Sequence, residues 1–315
     1  MTTTDLHDEP TTAEPIVRGI YSRVSGVALD QCDVLAGRYD EDIGYRPPDA
    51  ETWVVRFSPG DRIDTLFLKA AGWLTGIWRS TSGRIFVTDI DRKVHHYDPA
   101  ANQWAAFALD ANLTGVWGLD DTHVFTWGLG QGSAPVVFSW DGHGWRQIEA
   151  PGQIIGQMHG LRPDLVFAVG DSGMIARWDG VRWTTMASSA TGTLTSVFVV
   201  SDDEAYACGT DRELLAGSVH GWTKVLDAEV PLYTVARWRG DVYVGASLPL
   251  GLCKLDGRAL VQVAPPIQAL DLDARGSLLV ATNGYVAEST DGKTFTGRRV
   301  ESFEDLVRDD PPTWR

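Results

Sequence analysis

Carboxylates dominate the side chains that could do chemistry in this 315-residue chain: 42 Asp and Glu stand against 27 Lys and Arg, 7 His and 3 Cys. Paired acids serve acid–base catalysis, acids grouped with His or Cys hold a metal, and acids spread over one face attract a basic partner. His95 and His96 are the only adjacent histidines, and neighbours in a strand point to opposite faces, so they do not grip one ion. Cys32, Cys208 and Cys253 are far apart and lack CxxC spacing. Cys208 and Cys253 read as small core residues, and an odd number of dispersed cysteines suits a reducing cytosol. Gly128-Leu129-Gly130-Gln131-Gly132 follows a strand-like run but opens no helix, so it lacks the amide cradle of a phosphate loop and reads as a flexible connection. Arg92, Arg212, Arg237 and Arg275 are scattered. No catalytic residue, metal or cofactor is assigned.

The elements that position these groups are strands. In Leu165–Met186, Leu165, Phe167 and Val169 alternate with Val166 and Ala168, the period-two pattern of a strand. Gly170-Asp171-Ser172-Gly173 is a turn, Met174–Trp178 a second strand, Asp179-Gly180 a tight hairpin, and Trp183–Met186 a third strand. Three strands alone cannot bury their apolar faces, so the unit needs copies of itself. The copies are present. The opening strand recurs as Leu74–Trp78, Leu113–Trp117, Ile154–Met158, Leu194–Phe198, Leu232–Ala236 and Ile267–Asp271, at spacings of 39, 41, 40, 38 and 35 residues. A divergent unit precedes them, with strands at Val24–Leu29, Val34–Gly37, Trp53–Phe57 and Ile63–Leu68 and a polar loop over Arg38–Ala50.

A forty-residue period with four strands per unit predicts an all-β fold: a seven-bladed β-propeller of four-stranded antiparallel blades, with six blades as the alternative. A small residue sits in the middle of each opening strand (Gly76, Gly115, Gly156, Ser196, Thr234, Ala269), where strands converge on an axis. Trp104, Trp145, Trp183 and Trp222 start the outer strands, where blades splay apart and need bulk. The propeller is expected over 16–300, between an acidic disordered segment, 1–15, and an acidic tail, 301–315, with room for one helical turn. Pro15–Ser22 is a candidate for an outermost strand that closes the ring.

These units resemble blades of the WD-repeat, Kelch and sialidase-like (Asp-box) propeller families over roughly residues 16–300. Ser289-Thr290-Asp291-Gly292-Lys293-Thr294-Phe295 resembles an Asp-box one residue short, and the WDGxxW turns at Trp178–Trp183 and, one residue longer, Trp140–Trp145 are similar. These are turn motifs of a scaffold. The resemblance implies that ligands meet the face formed by the loops joining second to third strands and by the inter-blade loops. Those intra-blade loops hold Asp89, Asp91, Arg92, Asp171, Asp211, Arg212 and Asn283, and the inter-blade loops add Asp110, Glu149, Asp227 and Glu229. Asp also suits tight turns for its own sake.

Net charge is −15, of which the two tails carry only −4 and −3. That balance argues against nucleic acid, whose phosphates need a basic surface. There is no run of eighteen apolar residues and no secretory leader pattern, so a cytoplasmic monomer without membrane attachment is expected. The expected function is a non-catalytic scaffold presenting an acidic face to a protein partner, such as a basic toxin or nuclease that it neutralises. The alternative is a sialidase-like or Ca²⁺-dependent lactonase-like hydrolase with an axial pocket, the latter needing several carboxylates around one point.

Overall fold

A computed structural model describes residues 17–40, 51–60, 62–69, 72–263 and 267–300. Its strands form seven four-stranded antiparallel sheets, each in chain order. The first strand of every sheet touches the first strands of both neighbours, and blade 7 touches blade 1, so the sheets close into a ring. The blades span 17–69, 74–108, 112–148, 155–185, 194–227, 232–262 and 269–298. Six blades are excluded. Among the described residues no helix is long and apolar enough to cross a membrane.

No blade owns a core. Each apolar cluster is built from two adjacent blades: Leu35, Val54 and Phe67 of blade 1 pack with Leu74, Ile85 and Trp104 of blade 2, and Phe167 and Ile175 of blade 4 pack with Leu194, Leu215 and Trp222 of blade 5. This is why the repeat must be iterated: one sheet alone would leave both faces wet. The tryptophans fill the flare between blades as their spacing predicts, with Trp140 against Trp145 at 5.5 Å and Trp178 against Trp183 at 5.3 Å. His95 and His96 do face opposite ways. His95 packs on Phe67 at 4.8 Å, toward blade 1, whereas His96 stacks on Phe86 at 4.4 Å and meets Trp140 of blade 3 at 5.6 Å.

The hairpins are stapled by aspartates. Asp179 Oδ1 accepts from the Val181 and Arg182 amides, both at 2.9 Å. Asp291 Oδ1 accepts from Lys293 and Thr294 at 2.8 and 2.7 Å, and these backbone donors hold its carboxyl down at about 2. The flexible connection expected over Gly128–Gly132 is not there: Gly128 and Leu129 end a strand, His123–Leu129, and the chain turns through a short 3₁₀ turn at Gln131–Ser133. All three cysteines are buried, and burial pushes the Cys32 and Cys208 thiols up, away from thiolate reactivity.

Three sequence expectations need correction or placing. Val17–Gly26, which includes most of Pro15–Ser22, is the innermost strand of blade 1, and blade 7 supplies all four of its own strands. The reason is burial: Tyr21 and Val24 lie in the core between blades 7 and 1 with Leu279, Ala281 and Val286. Arg38–Asp40 extends a strand, Cys32–Asp40, and the rest of the Arg38–Ala50 loop lies outside the described residues. So do 1–15, the 301–315 tail and the helical turn expected there.

Candidate functional site: an axial channel and a loop face

Seven inner strands surround a central cavity of about 670 Å³. Each carries a one-residue bulge, at Ser22, Thr75, Thr114, Gly156, Thr195, Tyr233 and Leu270. A bulged residue leaves the ladder, and six of the seven, all but Thr75, line the cavity.

The bulge sets the register of the rest of the strand. One position past it come Arg23, Gly76, Gly115, Gln157, Ser196, Thr234 and Asp271. Gln157 and Asp271, not Gly156 and Ala269, therefore occupy the small-residue position in blades 4 and 7. The small residues elsewhere admit neighbours: a Cβ on Gly115 would lie 2.3 Å from the Trp127 ring. Gln157, Ser196 and Asp271 bond to the next blade instead. Gln157 Oε1 accepts from Ser196 Oγ at 2.8 Å and Val197 N at 2.7 Å, Ser196 Oγ accepts from Val235 N at 3.0 Å, and Asp271 Oδ2 accepts from Val24 N at 3.0 Å.

A second tier lies two residues further on. His159 Nδ1 accepts from Val199 N at 3.1 Å, Asp273 Oδ2 from Gly26 N at 2.9 Å, and Ser25 Oγ from Arg79 N at 2.9 Å. At the same position, Trp78 fills the space above Gly118 of blade 3. Sequence reading missed these clasps. Their signal is a polar–apolar–polar triplet inside an otherwise apolar strand: Arg23-Val24-Ser25, Gln157-Met158-His159 and Asp271-Leu272-Asp273.

The loops joining second to third strands carry the residues picked out for partner contact. Asp89 is fully buried. Its Oδ1 accepts from Asp91 N at 2.8 Å and Lys93 N at 3.0 Å, and Oδ2 meets His95 Nε2 at 2.8 Å, so Asp89 shapes the loop from beneath and cannot touch a partner. Asp91 and Arg92 are exposed above it. Arg92 has φ of 67°, and its guanidinium reaches Asp110 of the inter-blade loop at 3.0 Å. Asp171 and Asp211 are brought together through Thr193: Asp171 Oδ1 accepts from its Oγ1 at 3.3 Å and Asp211 Oδ2 from its N at 2.7 Å. Arg212 is exposed beside Asp211, with φ of 70°. Asn283 is exposed on blade 7, apart from both groups.

Buried Glu213, which sequence reading did not single out, anchors this corner. It accepts from the Thr191 and Gly192 amides at 3.2 and 3.3 Å and pairs with Lys224 at 2.7 Å. The exposed acids are dispersed. Among the described residues no three acids, histidines or cysteines come together to hold a metal ion, so the carboxylate cage required of a Ca²⁺ lactonase is not formed there.

Comparison with solved structures places this architecture. The WD40 β-propeller domain of Doa1 superposes with a TM-score of 0.66 at 11% identity, covering 85% of this chain and 93% of that one. U3-55K gives 0.60 at 9% identity, covering 86% and 90%. YCF48 from Cyanidioschyzon merolae gives 0.53 at 15% identity, covering 71% and 84%. By fold, the chain is a WD40-like β-propeller. No family model matches its sequence. Over 84 residues it is 32% identical to "Immune protein Tsi7" of Pseudomonas aeruginosa, a stretch that is 26% of this chain and spans only 28% of that protein.

Proposed function

We propose that this propeller is a non-catalytic interaction scaffold whose acidic loop face docks a protein partner bearing basic side chains, such as a toxin or nuclease that it neutralises. The observation that carries the reading is the local likeness to an immune protein, set on a fold built to present rigid loops. Asp91, Arg92, Asp171, Asp211, Arg212 and Asn283 form the contact set, with Glu149 and Glu229 at its inter-blade edges and Asp89 holding one loop in shape. Exposed carboxylates of this kind steer encounter and raise the association rate more than they hold the complex together.

The test is capture of partners from the native cell, followed by the triple variant Asp91→Lys, Glu149→Lys and Asp211→Lys. Its association rate with the captured partner should fall at least about tenfold, and raising salt should slow the unaltered protein toward the same value. An unchanged rate in a folded variant would remove the acidic face from the interface.

A further inference from the structure

We propose that the axial channel is a binding site for an organic cation, an ammonium or guanidinium on a short apolar arm, held by Asp271 with its arm against Trp117 and Phe198. None of the loop-face residues lines this channel, so a failed loop-face test leaves the site untouched. The cavity, at about 670 Å³, lies within the range of roughly 300–1,000 Å³ typical of small-ligand pockets. Its two sides differ. Blades 3, 4 and 5 present an aromatic wall in which His159 lies 5.4 Å from Trp117 and 4.5 Å from Phe198, ring to ring. Blade 7, across the ring, presents Asp271, only 8% exposed.

The charges around the channel leave Asp271 short of a cation. Arg275 is held by Asp273 at 2.6 Å and by Ser25 Oγ at 2.8 Å, and also donates to the Arg79 carbonyl. Arg23 is exposed and donates to the Ser22 carbonyl at 2.8 Å. His159 takes the Val199 amide proton on Nδ1, and burial holds it down at about 4, so it is neutral at pH 7. Burial pushes Asp271 up to about 6, outweighing the opposing field of Arg23. A bound cation would supply the missing counter-charge, and the faces of Trp117 and Phe198 favour a cation and its arm alike.

The experiment titrates the protein with benzylammonium, benzyl alcohol and N-acetyl-arginine amide, read by calorimetry and tryptophan fluorescence. Benzylammonium should bind at least about tenfold tighter than benzyl alcohol, and Asp271→Asn, whose side-chain oxygen still accepts from Val24, should weaken it by about ten- to a hundredfold without lowering the melting midpoint. Trp117→Leu should weaken both benzyl probes. In the unaltered protein, binding should weaken as pH falls from about 7.5 to about 5, because Asp271 takes up a proton while Arg23 and Arg275 stay charged, Asp273 stays against Arg275, and His159 stays neutral. That arm holds even should the Asn variant fail to fold. Tighter binding of the capped arginine than of benzylammonium assigns the site to a protein's basic side chain, and the reverse order to a free amine. Equal binding of the charged and uncharged benzyl probes, pH-independent binding, or no saturable binding of either cation would overturn the proposal.

Discussion

Two seams of the ring do the same job with different chemistry. Between blades 4 and 5, which the chain joins directly, the clasps are neutral: the Gln157 amide and the His159 imidazole accept from Val197 and Val199. Between blades 7 and 1, whose bonded residues lie 247 positions apart, the same two positions hold carboxylates, and Asp271 and Asp273 accept from Val24 and Gly26. The Asp273 bond, with Arg275 beside it, is charge-assisted, a kind roughly twice as strong as a neutral one, whereas burial works against a charge on Asp271. Where no loop ties neighbouring blades, carboxyl acceptors stand in. Further contacts reinforce that seam: Val300 N donates to Tyr21 Oη at 2.6 Å, and Arg298 donates to the Ser58 and Arg62 carbonyls at 3.0 and 3.2 Å.

The contrast can be broken by mutation. Asp273→Ala removes the acceptor of Gly26 and the carboxylate partner of Arg275, so it should cost about 2.5 kcal/mol in chemical denaturation. Gln157→Ala, at the joined seam, should cost less, about 1.5 kcal/mol, by leaving the Val197 amide unpaired. A Gln157→Ala loss equal to or above that of Asp273→Ala would erase the distinction between the seams.

Acid should sharpen it, because the two seams respond in opposite directions. Asp271, raised to about 6 in the fold, binds its proton more tightly there than in the unfolded chain. Stability from this group is therefore full below about pH 4 and falls, by on the order of 2 kcal/mol, as pH rises to about 6. Asp271→Asn should abolish that slope and match or exceed the unaltered protein above pH 6, measured as unfolding free energy against pH. His159, lowered to about 4, works the other way and with an effect of similar size. Its neutral form is the native one, so its contribution is lost as pH falls from about 6.5 to about 4, and His159→Phe should remove that acid-sensitive step. A single shared slope in both variants would show that neither group titrates as its surroundings dictate.

Much of this was legible beforehand, and the reasons are local. The Leu-Thr-Gly opening of blades 2 and 3 and the Trp-Asp-Gly turns at Trp140 and Trp178 encode strand, turn and repeat within a few residues, so six blades are plain in the chain alone and a divergent seventh is expected. Blade 1 was harder. Its inner strand begins at Val17 and sets Tyr21-Ser22-Arg23 around its bulge, where blades 2 and 3 have Leu-Thr-Gly. The bulge also displaced the reading of blades 4 and 7 and hid Gln157 and Asp271. Asp89 was misjudged for a related reason. Its loop position was right, but burial depends on the whole side chain's surroundings, and His95 and two backbone amides draw it inward.

The sequence alone determined the repeat, the four-stranded unit and the acidic charge, because turn chemistry, strand alternation and composition are written in neighbouring residues. Only the closed ring decided which carboxylates are exposed on the loops, which clasp the next blade, and that Asp271 lies across a channel from Trp117. Those relations join residues far apart in the chain, and their distances and burial exist only once all seven sheets have packed around one axis.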